Sequence, residues 1–280
     1  MREDVMEHRV QQEMSAGNTC YPWLNGLLAV CYLALLATAI WCPGATLLER
    51  LRWLDSGICA QLLTHSLYPG GERLPLCSRN TGIYLGFFVT MIMVFIRKRG
   101  RAQVLPKKSL IIALCVGICF LAVDGINSLF VDLGISHLYQ PNNLLRLASG
   151  LLAGLAMGVF VLPVINGLIW RHSNTQRSLP AWIELGWFLP VLLLCFYAAA
   201  SQSGLALYPL AILSTLGLLT AVGGVNLIFI LLLSKRDESF TRYKELIPFC
   251  GLALLTATGE LLLLAQLKLS LFQALGIPLS

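Results

Sequence analysis

The chain has 280 residues, 57% of them hydrophobic and only 12% charged, with a mean hydropathy of +0.75. A soluble domain carries about 25% charged residues, so this composition excludes an ordinary soluble protein and indicates a polytopic membrane protein. The net charge is +6 and the pI about 8.9, yet no basic–aromatic array or zinc-finger spacing accompanies them. Nucleic acid is therefore not an expected partner; the lipid bilayer is.

Before the first apolar stretch comes "MREDVMEHRVQQEMSAGNTCYPW", a long tail of mixed charge. A signal peptide has a short basic start. Although Ala37–Ala39 makes a passable small-residue cleavage site, a retained first helix is the expectation. Seven apolar stretches then follow, at 24–42, 81–96, 109–131, 145–170, 183–201, 207–233 and 246–267. Each approaches the roughly 20 apolar residues that a span requires. The expected fold is an all-α transmembrane bundle of about seven spans. Its parts are a tail (1–23), a four-span core (24–170) and a three-span C-terminal extension (171–280).

Between the first two spans, Leu51, Leu54, Ile58 and Leu62 recur at helical spacing among Arg50, Arg52 and Asp55. This predicts an amphipathic helix on the membrane surface, ended by the turn Pro69–Gly71. Lys and Arg are unevenly divided among the loops. "RKRGRAQVLPKK" has six, "RHSNTQRSLP" two and "SKRDESFTRYKE" four, with two more in the N-terminal tail. The segment 43–80 has four, the other two loops none and the C-terminal tail one. Cationic loops stay in the cytoplasm. The expected orientation has the N-terminus cytoplasmic and the C-terminus extracytoplasmic.

Charges within spans are expensive and mark candidate sites. Asp124 and Asn127 share a face of the third span, Arg146 opens the fourth, and Glu260 lies in the seventh. All fall in the outer half of the bilayer under this orientation. Cys59, Gln61, Arg79 and Asn80 reach the same level from the first outer loop. Together they predict an extracytoplasmic-facing polar pocket for a small molecule or ion. Arg79, Asn80, Asp124, Asn127, Asn143 and Arg146 are the candidate ligand-binding residues, and Glu260 a candidate proton or ion site. The plainer readings are an Asp124–Arg146 ion pair that fixes helix packing, an Arg146 that snorkels to the interface, and a Glu260 kept neutral by apolar surroundings.

Nine cysteines are present, most within spans, where Cys acts as a small hydrophobe. Cys59 and Cys77 lie on the oxidising side and are a candidate disulfide. Cys115 and Cys119 share a helix face without further ligands. A zinc site needs about four ligands, and Cys59, Cys77 and His65 are too few, so no metal or cofactor is expected. His8, His137 and His172 read as solvated side chains. No nucleophile elbow, metalloprotease helix or P-loop occurs. Small residues repeat four apart at Gly82 and Gly86, and at Gly150, Gly154 and Gly158. They predict close helix packing rather than chemistry.

The order of these motifs resembles an uncharacterised prokaryotic membrane-protein family, domain of unknown function 2085. "CAQ" at Cys59–Gln61, "PLCSRNTGIYLG" at Pro75–Gly86, "DG" at Asp124–Gly125 and "NNLLRLASGLLAG" at Asn142–Gly154 carry the resemblance. It spans about residues 59–158. The family pattern has His where this chain has Ala60, and a second Cys where it has Asn80. A metal or thiol set implied by that pattern would therefore keep only Cys59 and Cys77. The cysteines then serve as a disulfide, or the site is degenerate. Binding or transport at the polar pocket leads the functional readings. An intramembrane enzyme or redox protein acting on a lipid-like substrate is the second, with Asp124 or Glu260 as acid/base or Cys59 and Cys77 as a redox pair. A structural or assembly factor is the third.

Overall fold

The computed structural model describes residues 22–41 and 44–275. The N-terminal tail with His8 and Cys20, and also Cys42, lie outside the described residues. Among the described residues eight α-helices follow one another: α1 (Pro22–Trp41), α2 (Leu47–Asp55), α3 (Ser78–Ile96), α4 (Lys108–Asp132), α5 (Asn143–Ile169), α6 (Trp182–Ala200), α7 (Gly204–Leu233) and α8 (Tyr243–Ala274). Among the described residues there are no strands, only isolated bridges between Val104 and Arg177 and between Trp170 and Phe240. Helices α3 to α8 are long and apolar enough to cross a membrane. The twenty-residue α1 carries no charge and coincides with the first expected span. The chain is thus a polytopic helical bundle, as its composition predicts.

The bundle is organised around α3 and α5, its most extensive pairing. The glycine repeats explain the approach. Gly82 and Gly86 on α3 face Gly150 and Leu151 on α5, and a Cβ at Gly86 would lie 2.6 Å from the Leu151 carbonyl oxygen. Lipid tails supply no hydrophobic drive between helices, so backbone proximity and dispersion must hold them together. Leu85, Leu147, Leu155 and Val159 complete this seam, all fully buried or nearly so. Helix α7 packs on the other side of α3, α4 packs on α5, and α8 packs on α7 and α1.

The loops segregate by parity. At one end the three basic loops interlock. The backbone N–H groups of Gln103 and Val104 donate to the Gln176 carbonyl, and that of Arg171 donates to Phe240. Asn166, buried near the end of α5, organises this end. Its amide donates to the carbonyls of Gly100 (3.0 Å) and Ala102 (2.8 Å), and its oxygen accepts the Trp170 indole N–H (2.9 Å). Arg101 stacks over the Trp170 and Tyr243 rings, 3.9 and 4.5 Å from their centroids. Arg101 and Trp170 border a cleft of about 210 Å³ shared with His172 and Thr241.

At the opposite end, the long connection 56–77 covers the helix ends. Its surface helix α2 is shorter than the apolar spacing predicts. A reciprocal Thr46–Glu49 capping box starts it, but it stops at Asp55. Ile58 and Leu62 lie beyond it, both exposed. The chain turns at Gln61, which adopts φ +56° and whose amide donates to the carbonyls of Arg52 (2.7 Å) and Pro75 (2.6 Å). These bonds fold the chain back on itself instead of prolonging the helix. Pro69–Gly71 forms the expected turn, with Gly70 at φ +67°. Its N–H donates to the Gln202 carbonyl at 2.7 Å, tying this loop to the start of α7.

Candidate functional site

Five of the six residues expected to bind a ligand meet at the end opposite the basic loops. Asp124 is fully buried on α4. One of its carboxylate oxygens accepts two bonds from Arg79 on α3, Nη2 at 2.5 Å and Nε at 3.2 Å. The other accepts the Tyr139 hydroxyl at 3.0 Å. The expected Asp124–Arg146 ion pair is therefore replaced by Asp124–Arg79. Both arginines approach this level, and the rotation of α3 brings Arg79 to the carboxylate. Ser128, one turn beyond Asp124, accepts from Arg79 Nη2 (3.0 Å) and from Arg146 Nε (3.3 Å). This hydroxyl joins the two guanidiniums.

Arg146 does not snorkel. It is 4% exposed in the first turn of α5, and Asn143 Oδ1 accepts from its Nη1 at 2.9 Å. Among the described residues no carboxylate forms an ion pair with it, since Asp124 is taken by Arg79 and Asp132 by His65 at 3.2 Å. His65 carries the imprint of this positive field. Burial lowers its pKa most and the Arg146 charge lowers it further, against the opposing pull of Asp132.

The two asparagines have a different task. Asn127 Oδ1 accepts the Leu138 N–H and its amide donates to the Tyr139 carbonyl, both at 2.8 Å. Asn143 donates to the carbonyls of Thr64 and Ser66, both at 3.1 Å. They clamp two surface loops onto the helix ends. That clamp brings His65 and Tyr139 to the cluster.

Asn80 and Glu260 are not in this cluster. Glu260 is exposed on α8 and accepts from the Asn226 amide of α7 at 3.1 Å. Gly223 and Gly224 of α7 lie within an unbroken helix. Asn80 instead faces the two cysteines. Cys59 and Cys77 are free thiols in contact. The Cys77 N–H donates to Cys59 Sγ at 3.3 Å, and Gln61 and Asn80 lie beside it. The hydrogen bond from the Cys77 thiol and these neighbours pull the Cys59 pKa down to about 6, against burial. Among the described residues no group of three or more His, Cys, Asp or Glu is arranged to hold a metal.

Sequence reasoning passed over Ser128, Tyr139 and Asp55. The helical spacing of Asp124, Asn127 and Ser128 was the available signal for the first. Asp55 sits seven residues after Leu48 on the same face of α2, and both are buried. Its Oδ2 accepts the Thr215 hydroxyl of α7 at 2.8 Å, while Oδ1 has no partner among the described residues. Tyr139 lies in a surface loop, where nothing in its local pattern signals a partner.

These features define a polytopic helical membrane protein with a buried polar cluster where α3, α4 and α5 end. The family model described as "Predicted membrane protein (DUF2085)" matches residues 59–160, the stretch that contains this cluster. An uncharacterized protein of Methanocaldococcus jannaschii is 33% identical over 115 residues, which cover 41% of this chain and 67% of that relative. The chain belongs to this family of predicted membrane proteins. No solved structure matches it significantly.

Proposed function

We propose that this protein binds a small anion beside Arg146, on the extracytoplasmic side of a prokaryotic plasma membrane. The single observation that carries this reading is the environment of Arg146: 4% exposed, with only neutral oxygens from Ser128 and Asn143 as partners. A buried charge that Asp124 and Asp132 offset only at a distance still carries a desolvation cost. A phosphate or carboxylate removes that cost through charge-assisted hydrogen bonds. Arg79, with its side chain 23% exposed, adds a second guanidinium, held in place by Asp124. The excess of Lys and Arg in loops 97–107, 170–181 and 234–242 supports the orientation, with this cluster facing outward.

The test is thermal unfolding of the purified full chain in detergent, in sodium phosphate, acetate or chloride at equal ionic strength. A ligand present at a hundred times its dissociation constant stabilises by about 2.7 kcal/mol. Phosphate or acetate should raise the midpoint above chloride, and Arg146→Gln should abolish the rise. An equal rise in wild type and Arg146→Gln, or no rise with either anion, overturns the proposal. A packing role is the second reading, favoured by the loop contacts of Asn127 and Asn143; the no-rise outcome supports it.

A further inference from the structure

The thiol pair lies apart from the Arg146 cluster, and its surroundings differ in kind. Cys59, 2% exposed, sits in the connection between α2 and α3, and Cys77 is the partly exposed N-cap of α3. The backbone N–H of Cys77 donates to Cys59 Sγ at 3.3 Å, and Gln61 and Asn80 lie close enough to favour its ionised form. The Lys268 ammonium, reaching in from α8, donates to the Cys59 carbonyl at 3.1 Å. Asp55, fully buried, accepts the Cys59 N–H with its backbone carbonyl at 3.0 Å. A backbone N–H donor at a helix N-terminus, with a cation nearby, is an environment for a thiolate. Neither the packing of α3 on α5 nor the arginine cluster requires it.

We propose that Cys59 and Cys77 are a redox-active pair whose disulfide accepts an electron pair from a substrate dithiol, with Cys59 as the leaving thiolate. The free thiols are first oxidised by exchange with an external disulfide such as oxidised glutathione, which leaves as two thiols, and in the oxidised chain the two sulfurs are bonded. A substrate thiolate attacks Cys77 Sγ, the accessible sulfur; the Cys59–Cys77 bond breaks and its electron pair stays on Cys59. The second substrate thiolate then attacks the substrate sulfur of the mixed disulfide and expels Cys77. The substrate leaves as a disulfide, having lost two electrons and two protons. Cys77 keeps one proton, and the other is released to solvent, because Cys59 remains ionised. A thiol of low pKa leaves faster, and stabilising the reduced form makes the disulfide more oxidising. The depressed pKa of Cys59 agrees with this direction.

The experiment equilibrates the purified full chain in buffers of reduced and oxidised glutathione. Free thiols are trapped by acid quench and alkylation, and residues 59 and 77 are read by peptide mass spectrometry. The expected result is a Cys59–Cys77 bridge that forms and reopens reversibly across the glutathione range. Asn80→Ala removes the side-chain amide beside Cys59 and should shift that equilibrium about tenfold toward the disulfide. Its thermal unfolding, compared with wild type, checks that the fold is retained. Should Asn80→Ala fail to fold, the wild-type titration alone decides. Two thiols that never bridge, or a bridge that glutathione never reopens, overturn the proposal. A normally folded Asn80→Ala with an unchanged equilibrium overturns the role of Cys59 as stabilised leaving group.

Discussion

Arg79 and Asp124 join α3 to α4 through two guanidinium nitrogens on a single carboxylate oxygen, at 2.5 and 3.2 Å. The carboxylate is fully buried, and its other oxygen is occupied by Tyr139. Removing one partner of a buried pair leaves the other uncompensated and costs about 3–5 kcal/mol. Asp124→Asn keeps the shape and removes the charge. Because Arg79 retains some solvent, the expected loss is at the low end, about 3 kcal/mol. Thermal unfolding of Asp124→Asn, Arg79→Gln and the double variant measures it. The double variant should be less destabilised than the sum of the two single variants; strict additivity would show that the pair is not coupled.

The glycine seam makes a second prediction. A Cβ at Gly86 falls 2.6 Å from the Leu151 carbonyl oxygen and 3.1 Å from the Leu151 Cα. Neither is the flexible end of a side chain, so α3 and α5 must separate to admit it. Gly86→Ala should cost about 1–3 kcal/mol, as overpacking does. Gly125, which has open space around it, is the control: Gly125→Ala should be neutral or stabilising in the same assay, because Ala is the better helix former.

The spans were legible because each is a long apolar run with at most one charge. The glycine seam was legible for the same reason, since four-residue spacing fixes one face of a helix. Partner choice was not. Arg79 and Arg146 both reach the level of Asp124, and only the rotation of α3 about its axis decides which guanidinium meets the carboxylate. The short α2 was equally hidden. Its apolar spacing continues to Leu62, but the two bonds from the Gln61 side chain to the carbonyls of Arg52 and Pro75 depend on contacts fourteen residues apart.

Asp55 predicts a pH dependence. Burial raises its pKa from 3.8 to about 8, with the Thr215 hydroxyl opposing the shift. Below the unfolded value, both states are protonated and the full contribution is present. Between about 4 and 8 the unfolded carboxyl ionises while the folded one stays neutral, so stability falls as pH rises. The slope reaches about 1.4 kcal/mol per pH unit for one proton. Asp55→Asn keeps an acceptor for Thr215 and cannot ionise. Unfolding midpoints of the two proteins across pH 4 to 8 should diverge, with the wild type falling more steeply. Parallel curves would mean that Asp55 is ionised in the fold.

Asn166 predicts behaviour at the opposite end. Its side chain holds the carbonyls of Gly100 and Ala102 and accepts from Trp170, all in a buried setting. Asn166→Ala leaves these groups without partners, and each unsatisfied buried group costs about 1–3 kcal/mol. The segment 97–107 contains Arg97, Lys98, Arg99, Arg101 and Lys107, all trypsin targets. Loss of the clamp should raise local opening, and cleavage there follows the open population. Limited trypsin digestion should therefore cut the variant in this segment faster than wild type. The same digestion reads orientation: with the basic loops cytoplasmic, inside-out vesicles are cut in this segment and right-side-out vesicles are not. Cleavage only in right-side-out vesicles would invert the orientation and place the Arg146 cluster on the cytoplasmic face.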